Sequence, residues 1–294
     1  MSRLSGVQAA AITPRGRNGE VDFGAAFELI DHLGRAGVDG IALFAAEGEY
    51  HAWAAAERAR LCYLAVKRSR VPILAGVGAA TLDESVKLAR EARDAGAAGL
   101  LVPPPHFFEY DQDDLRAFYL QFAAEAGDET PILLYQTRAT SRIAPETARE
   151  LLESGPFAAL VHAAGDAEDF QEFRGAGPLI GDDAVLVQDG CEPLGGVLSG
   201  AACAVPEIVV GVARAIEAGA ETAAARGRAV LRELLEWSDR FPQPTLWRAA
   251  TECRKLKTGP IAAALSQRKR RELDQFREWF RAWLPRTRNL SANA

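Results

Sequence analysis

Ala36-Gly37-Val38-Asp39-Gly40 runs straight into Ile41-Ala42-Leu43-Phe44-Ala45, and the phrase returns as Ala95-Gly96-Ala97-Ala98-Gly99 ahead of Leu100-Leu101-Val102-Pro103. In each copy the first glycine suits the left-handed end of a helix, and the second suits a tight entry into a strand. Two copies point to a helix-to-strand unit used repeatedly, not to helices and strands held in separate domains. Working outward, short β-rich apolar runs fall at Val7–Thr13, Ile41–Ala45, Pro72–Gly76, Gly99–Pro103, Ile132–Tyr135, Ala158–His162, Leu179–Gly181 and Val197–Ser199. Stretches of helical period separate them. Thr81 caps one such helix, with Asp83 and Glu84 in its first turn, and Pro145-Glu146 opens another.

These strands are short and apolar on both faces, which predicts a parallel sheet covered by helices. Eight of them within about two hundred residues predict a closed (β/α)8 TIM barrel. The competing architecture is an open doubly wound sheet, but no G-x-G-x-x-G follows any strand. From Pro206 onward only helical signals remain. The predicted division is therefore a barrel over residues 1–219 and a helical extension over 220–294 packed on it. Leu273, Phe276, Phe280 and Trp283 form an apolar stripe that must be buried on the barrel or on another subunit. Residues 286–294 read as a frayed end.

The chain has 294 residues and a net charge of −6. That acidity argues against nucleic acid as a partner, and Lys67-Arg-Ser-Arg70 and Arg268-Lys-Arg-Arg271 read as solvated helix faces. No apolar run is long enough to span a membrane. The four cysteines, Cys62, Cys191, Cys203 and Cys253, are scattered without a C-x-x-C pair, so a cytoplasmic location is expected.

Barrel chemistry is built from the loops after the strands. Here those loops carry Ala46-Glu47-Gly48-Glu49-Tyr50-His51, His106-Phe107-Phe108, Tyr135-Gln136-Thr137-Arg138, His162 and Asp182-Asp183. Three of the four histidines thus gather at one end of the barrel; His32 lies on a helix. Tyr135 ends a strand, either as a proton carrier or as a packing residue with a wet tip. Arg138 and Arg142 suit a bidentate clamp on a carboxylate, or else pair at the surface with Glu146 or Glu150. The five lysines, Lys67, Lys87, Lys255, Lys257 and Lys269, all fall in helices or in the links between them.

The ordered signposts Gly6-Val7, Ile12-Thr-Pro14, Gly19-Glu-Val-Asp22, Gly40-Ile41 with Gly48-Glu49, Glu57-Arg58, Val71-Pro-Ile-Leu-Ala-Gly-Val-Gly78, Pro104-Pro-His106-Phe107, Leu134-Tyr135-Gln136, Gly181-Asp-Asp-Ala184, Gly196-Val-Leu-Ser199 and Thr258-Gly-Pro260 run through nearly the whole chain. Together they resemble the dihydrodipicolinate synthase / N-acetylneuraminate lyase family, which includes 5-dehydro-4-deoxyglucarate dehydratase. That resemblance implies a lyase or dehydratase acting on a small carboxylate or sugar-acid-like ligand, no cofactor, and a homo-oligomer, tetramer or dimer. It also implies an imine-forming lysine on the sixth strand. Anchoring on Gly165-Asp166 puts Val161 at that position, with His162 beside it.

The threonine pair expected to hold the substrate carboxylate becomes Ala46-Glu47, and His106-Phe107 replace paired tyrosines. Tyr135 alone survives of the usual catalytic set. Schiff-base chemistry is then not expected, since valine forms no imine. The residues expected to act are Tyr135 and His162 as proton carriers, with Ala46, Glu47, His106, Phe107, Arg138, Arg142, Asp182 and Ser199 around the ligand. Two alternatives stay open. In one, Glu47, Glu49, His51, His106, His162 and Asp182 hold a divalent metal as electron sink. In the other, the barrel has lost catalysis and binds a small ligand or supports an oligomer.

Overall fold

The computed structural model describes residues 5–106, 110–127, 129–163, 167–188 and 195–291. Eight parallel strands close into a barrel in sequence order: β1 (Val7–Ala10), β2 (Gly40–Leu43), β3 (Ile73–Gly76), β4 (Gly99–Val102), β5 (Ile132–Thr137), β6 (Phe157–Ala163), β7 (Leu179–Gly181) and β8 (Gly196–Ser199). Closure is made by β8 against β1, with Leu198 opposite Gln8. Alternation along the strands builds two cores. Ala10, Ala42, Leu74, Leu101, Leu133, Tyr135, Ala159, Val161, Ile180 and Leu198 fill the barrel itself. Their neighbours, such as Ile41, Ile73, Leu100, Leu134 and Leu160, join the larger core under the helices. Both faces of each strand are dry, which is why the sequence shows apolar runs without a polar alternation.

The helices around the barrel are α1 (Phe23–Ala36), α2 (Ala55–Arg68), α3 (Leu82–Ala95), α4 (Gln112–Ala126), α5 (Pro145–Ser154), α6 (Ala167–Glu172), α7 (Asp183–Val187) and α8 (Pro206–Glu217). Asp22, Thr81 and Asp111 cap α1, α3 and α4 by accepting the N–H of Ala25, Glu84 and Asp114. Each such cap contributes about 1 kcal/mol. The repeated phrase behaves as expected at its first glycine: Gly37 and Gly96 end α1 and α3 with φ of 87° and 93°. Its second glycine has another reason. A Cβ on Gly40 would lie 2.0 Å from Gln8 Oε1 and 3.3 Å from the Pro72 carbonyl, so crowding between strands, not a turn, favours glycine there.

Three further helices follow: α9 (Glu221–Ser238), α10 (Thr245–Cys253) and α11 (Gln267–Ser291). The stripe of α11 is buried within this chain, with Leu273, Phe276, Phe280 and Trp283 each at most 2% exposed. Phe276 and Trp279 pack tilted against Trp237 of α9, with ring centroids 5.6 and 5.7 Å away. Of the end expected to fray, residues 286–291 are helical, and residues 292–294 lie outside the described residues. Leu284 and Thr287 are buried there and tie the last turns down. No described helix is long and apolar enough to cross a membrane.

Candidate active site at the barrel mouth

The site begins with strain at the end of β2. Phe44 and Glu49 both have left-handed backbones, φ 57° and 52°, and they bracket Ala45-Ala46-Glu47-Gly48. A non-glycine residue held there costs about 1–3 kcal/mol and persists only when its surroundings over-determine it. Here the surroundings can be named. Gly76 and Gly48 give Phe44 room, since a Cβ on Gly76 would lie 1.9 Å from the Phe44 carbonyl oxygen and one on Gly48 2.8 Å from the Phe44 nitrogen. Arg58, buried behind β3, donates to the carbonyls of Gly76 (2.8 Å) and Gly78 (2.7 Å). Its neighbour Glu57 accepts the Val21 N–H (2.9 Å), which explains the Glu57-Arg58 signpost as a brace.

The other end of the loop is pinned by a buried ion pair. Arg248 of α10 is 1% exposed and reaches Glu49 Oε2 through Nε at 3.1 Å and also through its terminal nitrogen. It donates as well to the carbonyls of Thr13 and Thr258, each at 2.8 Å. One guanidinium thereby joins the β1 loop, the β2 loop and the helical extension. Sequence reading missed this role, because nothing local to Arg248 marks its partners.

Within that frame the Tyr135 hydroxyl accepts the Ala46 N–H at 3.0 Å. Burial, and then the nearby Glu47 carboxylate, push the phenol well above its ordinary range, so it stays protonated. Its own hydrogen is left to donate. Glu47 lies over Gly200, where a Cβ would meet Glu47 Cγ at 3.1 Å and the Trp247 ring nitrogen at 2.7 Å. Burial raises the Glu47 carboxyl to about 7, with Asp183 and Asp182 adding like-charge repulsion. Its Oε2 is buried and has no hydrogen-bond partner among the described residues. Asp183 is also pushed up by burial, to about 6. In contrast to Glu47 it is satisfied, by the Ser199 hydroxyl and the N–H groups of Ala201 and Gly200. Cys203 closes the floor, accepting the Ile12 N–H and donating to the Ala10 carbonyl.

The expected site residues therefore separate. Ala46, Glu47, Tyr135 and Asp182 gather at the mouth. Val161 is in the barrel lining, directly paired with Tyr135. His162, next along β6, points the other way into the helix layer. Its ring lies against Phe173 (4.8 Å between centroids). Gln136 Oε1 is taken by the Ile143 N–H, so Gln136 Nε2 donates to His162 Nδ1 (3.0 Å). The remaining ring nitrogen, Nε2, carries the proton 3.1 Å from Asp169 Oδ2. His162 is thus a latch between β5, β6 and α6, not a proton carrier beside Tyr135. One residue of strand alternation makes the difference.

Ser199 is turned away in the same manner, fully buried on Asp183 and accepting the Ala202 N–H. Arg138 and Arg142 line a separate cleft of about 560 Å³ with Thr137, Glu168, Asp169 and Glu172. Arg142 pairs with Asp169 and Glu172, not with Glu146 or Glu150. Arg116 instead takes Glu150. His106 and His51 stand at the rim, edge-on to Tyr50. Burial, and then His51, lower the His106 imidazole below its ordinary range, so it is neutral near pH 7.

Phe107 and the Gly165-Asp166 anchor lie outside the described residues. The six residues considered as metal ligands do not converge. Glu49 is committed to Arg248, and His162 faces the helices. Among the described residues no group of three or more His, Cys, Asp or Glu is placed to hold a metal ion.

Comparison with known proteins agrees with this architecture. The chain is 35% identical over 192 residues to the 4-hydroxy-tetrahydrodipicolinate synthase of Salinibacter ruber, an alignment covering 62% of this chain and 63% of that protein. The match thus spans a little under two thirds of that relative's length. The solved 4-hydroxy-tetrahydrodipicolinate synthase of Methylacidiphilum fumariolicum SolV superposes with a TM-score of 0.88 at 24% identity, covering 97% of this chain and 99% of that one. A prophage protein of E. coli K12 from the dihydrodipicolinic acid synthase family, solved in complex with pyruvate, superposes with a TM-score of 0.85 at 20% identity, covering 95% and 98%. At these identities the two structures establish the fold alone. The model of the Dihydrodipicolinate synthetase family matches residues 3–278, and the chain belongs to that family.

Proposed function

We propose that this chain is a divergent lyase or dehydratase of its family, acting on a 2-oxo-acid or sugar-acid-like small molecule without a Schiff base. The observation that carries the reading is Val161. It is 1% exposed in the barrel lining and paired across strands with Tyr135, where the family resemblance puts the imine-forming amine. Lys67 and Lys87 sit in α2 and α3, Lys255 and Lys257 in the link after α10, and Lys269 in α11. Lys269 is engaged by the Arg240 carbonyl and Glu272. A valine side chain has neither a nucleophilic lone pair nor an electron sink, so carbanion stabilisation falls to hydrogen-bond donors at the mouth. Tyr135 supports this role as a neutral phenol with a hydrogen to donate. Pyruvate, named with the E. coli relative, is the natural first ligand to try.

The test is to incubate the protein with pyruvate or a keto-deoxy sugar acid, reduce with borohydride and weigh the intact chain. The expected result is an unchanged mass, with any lyase turnover surviving the treatment. A stable mass gain that maps to any of the five lysines overturns the imine-free reading.

A further inference from the structure

Glu47 stands at the mouth with a buried carboxyl oxygen whose bonding is incomplete among the described residues. Its carboxyl receives a hydrogen bond from its own backbone N–H, and Oε2, shielded from solvent, has no partner among the described residues. A buried polar oxygen without a partner costs about 1–3 kcal/mol, so its retention here calls for an explanation. Among the described residues, the titratable groups that act on Glu47 come from three elements. Tyr135 comes from β5, Asp182 and Asp183 follow β7, and Cys203 lies in the turn after β8. None of these described groups is a cation, and Arg248, which acts on Cys203, is committed to Glu49. Asp183, the nearest competitor for a proton, is already satisfied by three donors. Of the two carboxyls, Glu47 is therefore the one that holds its proton to the higher pH. A protonated carboxyl is a strong O–H donor, and the Tyr135 hydroxyl, having accepted the Ala46 N–H, is a second one beside it. The strained Phe44–Glu49 segment and the Glu49–Arg248 pair hold both in place.

We infer that Glu47 binds the carboxylate of a 2-oxo acid in its protonated form, sharing its proton with the ligand oxygen, so that ligand binding takes up a proton from solution. The ligand class rests on the reading under Proposed function; the proton coupling rests on Glu47 itself. Above about pH 7, where the unbound Glu47 is ionised, the step moves one proton from solution to the Glu47 carboxylate and makes no covalent bond. It also removes the apparent conflict of an acidic residue facing an acidic ligand. Two carboxylates repel one another at contact, whereas a carboxylic acid and a carboxylate form a short, charge-assisted hydrogen bond.

The experiment is isothermal titration of pyruvate into the intact protein, in buffers of different ionisation enthalpy. At about pH 8 the expected uptake is about one proton per pyruvate, falling toward zero at about pH 5, with affinity dropping about tenfold per pH unit above about 7. Glu47→Gln keeps an N–H donor, so it is expected to bind pyruvate with no proton uptake and a flat pH profile. Glu47→Ala, without a donor, is expected to bind at least about tenfold more weakly than Glu47→Gln at any pH. Pyruvate binding to the wild type without proton uptake at about pH 8 overturns the inference alone. So does a pH slope that survives in Glu47→Gln. If the wild type binds no pyruvate at any pH, the 2-oxo-acid reading itself falls, and the coupling falls with it.

Discussion

Replacing Glu49 by alanine removes the only carboxylate, among the described residues, bound to the Arg248 guanidinium, which is 1% exposed. Arg248 would keep the Thr13 and Thr258 carbonyls, each 2.8 Å away, but no counter-charge. Removing one partner of a buried pair costs about 3–5 kcal/mol, because the other charge stays in a poorly solvating interior. The two remaining carbonyls place this case at the lower end, about 3 kcal/mol. For a chain of this size about 1 kcal/mol corresponds to about 2 °C, so the melting temperature should fall by about 6 °C. Circular dichroism during heating measures it directly. The double variant Glu49→Leu with Arg248→Met removes both charges and should recover most of the loss, since an apolar pair of similar volume escapes the desolvation penalty. A fall below about 2 °C for Glu49→Ala, or a double variant as unstable as the single one, refutes the assignment of this pair as the pin of the β2 loop.

Two other outcomes follow from buried groups. The folded Glu47 carboxyl titrates at about 7, above its ordinary value of 4.5, so the folded state prefers the protonated form. Its contribution is fully present below about pH 4.5 and is lost as the pH rises through about 7, roughly 3 kcal/mol in all. Glu47→Gln should therefore match the wild type near pH 4.5 and exceed it by up to roughly 3 kcal/mol above about pH 8 in urea denaturation; a gain that does not grow with pH contradicts this. Phe280→Ala should cost about 3–5 kcal/mol by leaving a cavity beside Phe276 and Trp283, whose ring centroids are both 5.6 Å away. A loss below about 1 kcal/mol would mean that α11 is not a core element.

The repeated phrase around Gly37 and Gly96, the apolar strand runs and the helix cap at Thr81 are all legible in the amino-acid order. They are local: a left-handed glycine, a side-chain cap and strand burial on both faces each leave a mark within a few residues. Such marks suffice for eight strands, their order and the barrel, with no strand end displaced by more than three residues. Within the site, the chain alone places Val161, Tyr135 and Glu47 at or after strands six, five and two. It does not decide which of two adjacent residues enters the barrel. Val161 and His162 are chemically plausible neighbours, and only closure of the sheet turns the first toward Tyr135 and the second toward Phe173 and Asp169. Nor does it reveal that Arg248 holds Glu49, that Asp183 is saturated by Ser199, or that Glu47 is left with an unpartnered oxygen. Those facts depend on groups up to 199 positions apart meeting in a dry interior. Burial and long-range pairing set the charge and orientation of a side chain, and neither is written into its neighbours along the chain.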